Sequence, residues 1–188
     1  YSLIHAVKKY LGQEPIIVTD KSKMNLEIKY DNPKEVGADR LVNAVGALKR
    51  YKAPLIIIDF GTATTFCAVS DKNEYLGGVI LPGLKVSLEA LVEKTSKLPK
   101  IEIARPDKVI GTNTVESMQS GMYYGYAGSV DNIVLKMKQS LGDDTTVIAT
   151  GGLATMISKE AKTIDIIDPK LTLEGLKAIY DNETEGKE

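Results

Sequence analysis

The residues best suited to chemistry lie in one run, Leu55-Ile56-Ile57-Ile58-Asp59-Phe60-Gly61-Thr62-Ala63-Thr64-Thr65. An aliphatic stretch ends in a carboxylate, followed by a glycine and a cluster of hydroxyls. A strand that ends in Asp-x-Gly-Thr and turns straight into another strand presents backbone N–H groups and hydroxyls around a tight bend beside a negative charge. That combination suits a phosphate and a cation. Gly61 lets the backbone approach an anion, Thr62 and the turn amides donate to phosphate oxygens, and Asp59 holds a hydrated cation against them. The same residues also fit a hairpin in which Asp59 and Thr62 satisfy only turn amides.

A second candidate is the stretch from Tyr30 to Arg40, "YDNPKEVGADR". Its Gly37-Ala38-Asp39-Arg40 turn opens a helix, which sets Asp39 near the positive end of the helix dipole with Arg40 beside it, and Tyr30 and Asn32 lie upstream on a Pro-kinked loop. The plainer reading is an N-capping Asp with a surface Arg. Three further stretches are weaker alone. "GGVILPG" at 77–83 reads as strand and turn punctuation as readily as a site. "IGTNTVESMQSG" at 110–121 carries Thr112, Thr114, Ser117 and Ser120, with Thr112 or Asn113 as a helix cap. "ATGGLA" at 149–154 is a strand-to-helix glycine turn on which a nucleotide base or ribose can lie against bare backbone.

The elements that must position these groups follow from composition and periodicity. With 188 residues, 43% of them hydrophobic and 26% charged, the chain has material for one good core or two small ones. A net charge of −1 gives no general field for nucleic acid or an anionic membrane. No apolar run approaches the roughly eighteen residues of a membrane-spanning helix, and the start has no secretory pattern, so a cytoplasmic protein is expected. The single Cys67 and single His5 leave disulfide, zinc and His-based triad chemistry without parts, and carboxylates and hydroxyls must carry any reaction.

Apolar spacing predicts a helix over 1–14, a short strand at 16–18 and a helix starting near Gly37. Pro54 then separates two regions, 1–53 and 54–188. The second predicts strands at 55–59, 64–69 and 74–80, with a tight turn at 71–73 between the last two. A helix follows at about 84–97, and a longer one over 113–140 in which Gly121, Gly125 and Gly128 permit close backbone approach. A strand at 145–150, a turn into a helix from Gly151, a strand at 163–167 and a helix over 172–182 complete the chain, with a frayed polar tail "NETEGKE". The order βββαβαβα is that of a ribonuclease-H-like α/β domain.

Taken in order, "GADRLVNA", "DFGTATTF", "GGVILPG", "GTNTVESMQSG" and "TGGLA" resemble the type III pantothenate kinases, also described as Bvg accessory factor proteins, within the acetate and sugar kinase, Hsp70 and actin superfamily. The resemblance covers essentially the whole chain. It implies the actin-like ATPase fold, with residues 54–188 as a complete C-terminal domain and 1–53 as the remainder of an N-terminal one. It also implies ATP-dependent phosphorylation of pantothenate, the first step of coenzyme A biosynthesis, in the cytoplasm. Asp39 matches the general base. Tyr30, Gly37, Ala38, Asp39, Arg40 and Thr114 match positions that bind pantothenate, Thr62 an ATP phosphate contact, and Asp59 the ligand of a monovalent cation, potassium or ammonium. Magnesium would accompany ATP. The family forms homodimers with the acceptor site at the subunit boundary, and no nucleic acid or membrane partner is implied. Family members begin with a strand and a turn of the form Asp-x-Gly-Asn-Thr, a first phosphate loop that these 188 residues do not contain. A truncated and, alone, inactive chain is therefore expected. Two other readings stand beside the kinase: another phosphotransferase of the superfamily, and a non-catalytic regulatory or accessory protein.

Overall fold

The computed structural model describes residues 2–185. The aliphatic run forms β2 (Leu55–Phe60), and it is continuously apolar because helices cover both faces of the sheet there. β3 (Ala63–Val69) and β4 (Glu74–Pro82) follow as antiparallel neighbours. β5 (Thr146–Gly151) pairs parallel with β2, β6 (Ile166–Ile167) parallel with β5, and β1 (Glu27–Ile28) parallel with β4. The result is one six-stranded mixed sheet in the order β1-β4-β3-β2-β5-β6. Its register sets Asp59 opposite Thr65 on one side and Thr150 on the other.

Alternation along β2 divides the core into two layers. Leu55 and Ile57 face a cluster with Leu41, Val42, Ala44 and Val45 of α2 (Ala38–Arg50) and Leu171, Ala178 and Ile179 of α6 (Leu171–Thr184). Ile56 and Ile58 face Tyr123, Ala127, Val130 and Val134 of α4 (Thr114–Leu141). Residues on both sides of Pro54 share the first layer. α2 and α6 cross at glycines. A Cβ on Gly175 would stand 2.0 Å from the Val42 carbonyl oxygen, and one on Gly46 would stand 2.4 Å from that of Leu171. The end of α2 is tied to the approach to α6 by the buried Asp168, which accepts from Arg50 Nη1 at 2.6 Å and the Tyr51 hydroxyl at 2.9 Å.

The sheet and helix order of 55–184 follows the sequence reading, with differences at the edges. The first helix is α1 (Ser2–Ala6), continued by a π-helical turn, Val7–Leu11, that stops at Gly12 in a left-handed conformation; Tyr1 lies outside the described residues. No strand forms at 16–18. Ile16 and Ile17 are exposed, only Val18 packs on the core, and the edge place in the sheet goes to β1 instead. α3 (Leu84–Glu93) ends before Thr95, with Pro99 shortly beyond. The strand expected at 163–167 shrinks to β6 because Thr163 gives its amide and hydroxyl to Asp131, at 2.9 and 2.8 Å. After β5 the turn leads into one short helix, α5 (Ala154–Ile157). The polar tail is partly helical, since α6 runs to Thr184; residues 186–188 lie outside the described ones. A Cβ on Gly121, Gly125 or Gly128 would meet nothing within 4 Å among the described residues, so close packing between the described helices does not explain them.

Candidate active site

The first turn of α2 carries the acceptor-side candidates. Asn32 caps the short 3-10 turn Pro33–Glu35, and its amide donates to Glu35 Oε1 at 2.8 Å, which fixes the loop ahead of Gly37. Gly37 is the helix N-cap. A Cβ there would stand 2.4 Å from Asp39 Oδ1 and 3.5 Å from Arg40 Nε, so its absence makes room for the Asp39 carboxylate to fold back over the turn. Asp39 remains solvent-exposed, and Ala38 beside it is exposed too. One helical turn on, the buried Asn43 lies on the same helix face and donates its amide to Asp59 Oδ2 at 2.9 Å. The Thr172 hydroxyl donates to Asn43 Oδ1 at 2.7 Å, which settles which end of the amide faces Asp59.

Asp59 therefore has one oxygen engaged and one open. Oδ1 faces Gly61 and Gly151; a Cβ on Gly151, which has φ +91°, would stand 2.7 Å from it. No cation pairs with Asp59 among the described residues. Burial pushes the carboxyl above its ordinary value, the Asn43 amide opposes that, and the negative charge of Asp39 adds to it. A partly buried carboxylate with a free oxygen in a glycine cradle, next to a second carboxylate, has the donor chemistry for a hard cation. The turn beyond it is held by Gly61 N–H to Ala63 O at 3.1 Å and Gly83 N–H to Thr62 O at 2.9 Å. Gly83 sits so close to Thr62 that a side chain there would displace the turn. The Thr62 side chain stays exposed.

Arg40 turns the other way, towards β4. Its Nη2 donates to the Glu35 carbonyl at 3.2 Å, and Tyr75, Tyr30 and Cys67 are its electrostatic neighbours. Burial works against the Arg40 charge, but Tyr75, Tyr30 and the Cys67 thiol around it more than offset that and hold it above its ordinary value. The Cys67 thiol is pushed up to about 11, first by burial, so it is neutral and unreactive at neutral pH.

Gly37, Ala38 and Asp39 thus lie at the start of α2, electrostatically coupled through Asp39 to Asp59 ahead of the β2–β3 turn that carries Thr62, while Arg40 is directed to the Glu35 carbonyl and Tyr30 packs against Gly77 and Tyr75 of β4. Thr114 does not join them. It opens α4, on the opposite layer, and lines a groove of about 570 Å³ with Gly111, Ser117 and Gly121. The α4 cap is as the sequence reads: Asn113 Oδ1 accepts from Glu116 N–H at 2.9 Å, and the Glu116 carboxylate accepts from Thr112 N–H at 2.9 Å. Sequence reasoning missed Asn43, Tyr75 and Thr172. Asn43 left a faint signal, a polar residue on the apolar face of α2 four positions after Asp39. The other two left none, because chain crossings alone bring them to the site.

A profile of one protein family, described as Type III pantothenate kinase, matches residues 1–136. A relative named Type III pantothenate kinase, from Halalkalibacterium halodurans, is 55% identical over 180 residues, 96% of this chain and 71% of the relative. A crystal structure described as a Baf family transcriptional activator from Campylobacter jejuni superposes with a TM-score of 0.57 at 19% identity, covering 84% of this chain and 68% of that one, and shares the fold. The matched residues contain the whole of the α2 turn and the β2–β3 turn just described, and this chain belongs to the type III pantothenate kinase family.

Proposed function

We propose that this protein transfers the γ-phosphoryl group of ATP to the primary hydroxyl of pantothenate, giving 4′-phosphopantothenate and ADP, the first step of coenzyme A biosynthesis. The observation that carries the reading is the meeting of two carboxylates, Asp39 and Asp59, beside a glycine-and-hydroxyl turn, with an arginine that no carboxylate neutralises among the described residues. Phosphoryl transfer asks mainly for positioning and charge neutralisation. The pantothenate hydroxyl lies beside Asp39. Its oxygen bonds to the γ-phosphorus, the bond to the β–γ bridging oxygen breaks, ADP leaves, and the hydroxyl proton passes to Asp39. Exposure of Asp39 next to a glycine with no side chain to block it supports this role. Gly37 and Ala38 wall the acceptor, Arg40 takes its anionic end, and Tyr30 lies alongside.

Thr62 and the turn amides meet ATP phosphate oxygens. A divalent ion, magnesium, supplies charge neutralisation to the phosphates when bound. No cluster of three or more His, Cys, Asp or Glu side chains that could hold a metal occurs among the described residues. The open Asp59 Oδ1 in its glycine cradle fits a monovalent cation, potassium or ammonium. A cavity of about 790 Å³ that shares Leu153 with the Gly151-Gly152 turn supports placing the nucleoside end there. The strand order, three antiparallel strands followed by two parallel ones, supports a ribonuclease-H-like, actin-like ATPase domain over 54–188, whose sheet β1 and whose core α2 join from 1–53. Thr114, on the other layer, reaches an acceptor only in an assembly of two copies, and the bare glycines of α4 support a homodimer. The setting is cytoplasmic, and no helix among the described residues is long and apolar enough to cross a membrane.

Asp39→Asn, in the protein expressed from its natural reading frame, tests the reaction. Turnover falls on the order of 10²-fold or more while ATP affinity stays within a few-fold, because a lost general base withdraws help from the transition state. A near-normal kcat would leave Asp39 as a first-turn acid at the positive end of the α2 dipole and overturn the assignment.

A further inference from the structure

Two helices far apart in the chain meet beside Asp59, and they bring a polar pair to an otherwise apolar crossing. α2 and α6 touch backbone to backbone where Gly46 faces the Leu171 carbonyl and Gly175 faces that of Val42. So close an approach lets short side chains bond across it. Asn43 precedes Gly46 by about one helical turn, and Thr172 precedes Gly175 by the same spacing. The Thr172 hydroxyl donates to Asn43 Oδ1 at 2.7 Å, and Asn43 Nδ2 donates to Asp59 Oδ2 at 2.9 Å.

The direction of these bonds is set at their end. An ionised carboxylate only accepts, so the Asn43 amide turns its nitrogen to Asp59 and its oxygen to α6, and Thr172 must be the donor. Every dipole then points the same way, and such bonds strengthen one another in a buried place. Asn43 is 1% exposed, on a helix whose Leu41, Val42, Ala44 and Val45 belong to the apolar core. No buried side-chain nitrogen or oxygen among the described residues lacks a partner, and removing the Thr172 hydroxyl would orphan Asn43 Oδ1. The bond to Oδ2 also decides which oxygen of Asp59 stays open. Oδ1 keeps to the glycine side, where a Cβ on Gly151 would stand 2.7 Å from it and one on Gly61 3.8 Å. Asp39 lies on the same face of α2 one turn before Asn43, so the helix that carries the proposed base also clamps the second carboxylate.

We propose that Thr172 is a positioning residue: through Asn43 it holds Asp59 with Oδ1 open towards Gly61 and Gly151, and so sets how tightly the site binds a monovalent cation. The inference rests on the reading of Asp59 as the ligand of potassium or ammonium. Thr172→Val keeps the shape of the side chain and removes the hydroxyl, whereas Thr172→Ser keeps the hydroxyl.

The test uses the protein expressed from its natural reading frame, with thallium(I) as the potassium probe, followed directly by thallium NMR in the presence of ADP and magnesium. The potassium dependence of turnover is measured alongside. Thr172→Val weakens thallium binding about three- to tenfold, the size expected for one buried hydrogen bond, and raises the potassium concentration for half-maximal activity by the same factor. At saturating potassium, kcat and KM for pantothenate stay within about twofold. Thr172→Ser binds thallium within about twofold of the native protein, a rescue that follows the hydroxyl. Loosened packing alone would lower Tm without moving the cation constant. Asn43→Leu, of similar volume, removes both bonds and weakens thallium binding by more than about tenfold; it serves as the second variant if Thr172→Val does not fold. Unchanged thallium affinity in Thr172→Val, or an equal loss in Thr172→Ser, overturns the proposal. Asp59→Ala that binds thallium as tightly as the native protein instead removes the reading of Asp59 beneath it, a result that cannot be confused with Asp59→Ala losing the cation while Thr172→Val keeps it.

Discussion

The two layers that cover the sheet use glycine in opposite ways. On the α2 and α6 side, Gly46 and Gly175 let two helix backbones touch, and a single added methyl carbon would overlap a carbonyl of the facing chain. On the α4 side, Gly121, Gly125 and Gly128 lie on one long helix, with room for a Cβ at every one of them. The first pattern is the signature of packing already completed within the chain. The second is helix surface that carries the conformational cost of glycine, about 0.5–1 kcal/mol per residue relative to alanine, with no return inside the chain. The proposed reaction centre stands on the completed side. Asn43 and Thr172 come from the two helices that the glycines bring together, and the Asp59 carboxylate is held through them. Rigid packing there gives Asp59 a fixed direction, which a cation or phosphate site requires.

Substitution at the crossing gives the largest expected effect. Gly175→Val places carbon where the Val42 carbonyl oxygen stands 2.0 Å from the Cβ position, so the two helices must separate. A loss of about 3 kcal/mol or more is expected, a fall in Tm of roughly 6–12 °C for a chain of this size, read by thermal unfolding. Activity should fall with it, because Thr172 moves with α6 and releases Asn43. A variant with native Tm would show that the crossing is loose and would erase the contrast between the layers.

On the open side the sign reverses. Gly125→Ala should stabilise the isolated chain by about 0.5–1 kcal/mol, or roughly 1–4 °C in Tm, since the helix gains propensity and meets no neighbour. If the face is where a second copy sits, the same substitution weakens the dimer in sedimentation measurements, which turns an open face into an occupied one.

The smallest effect probes how tightly the first layer is closed. Cys67 belongs to its core and is 2% exposed. Burial raises its thiol from the ordinary 9.0 to about 11. The neutral form therefore favours the folded state: that contribution is complete below about pH 9 and is lost as pH rises through about 11. Alkylation of the native protein should stay slow from pH 7 to 10 and speed up only on unfolding. Rapid labelling at pH 8 would show that the layer opens readily.

Local features of the chain were legible where a chemical signal is itself local. The Asp-x-Gly-Thr turn, the Gly-Ala-Asp-Arg helix start and the Asn113–Glu116 cap each need only neighbouring residues, so each is present where the sequence puts it. Edges were less legible. Ile16-Ile17-Val18 has strand composition, but a strand needs a partner with a free ladder, and β4 gives that place to Glu27 and Ile28. Lys97 follows a helical pattern that stops at Glu93.

Residue type and short spacing were enough for the chemical inventory of this protein: which residues carry charge, where backbone is left bare, and in what order the strands and helices of 55–184 come. Those properties are written in residue type and short spacing, and the chain has no way to evade them. Which parts meet depends on how the faces pack. Asn43 reaches Asp59 across 16 positions, and Thr172 orients Asn43 across 129. Tyr30 meets Tyr75 across 45 positions, where one extra residue in β4 shifts its register against β3. Such contacts depend on crossings set by the packing of whole faces, and no window of sequence contains both partners.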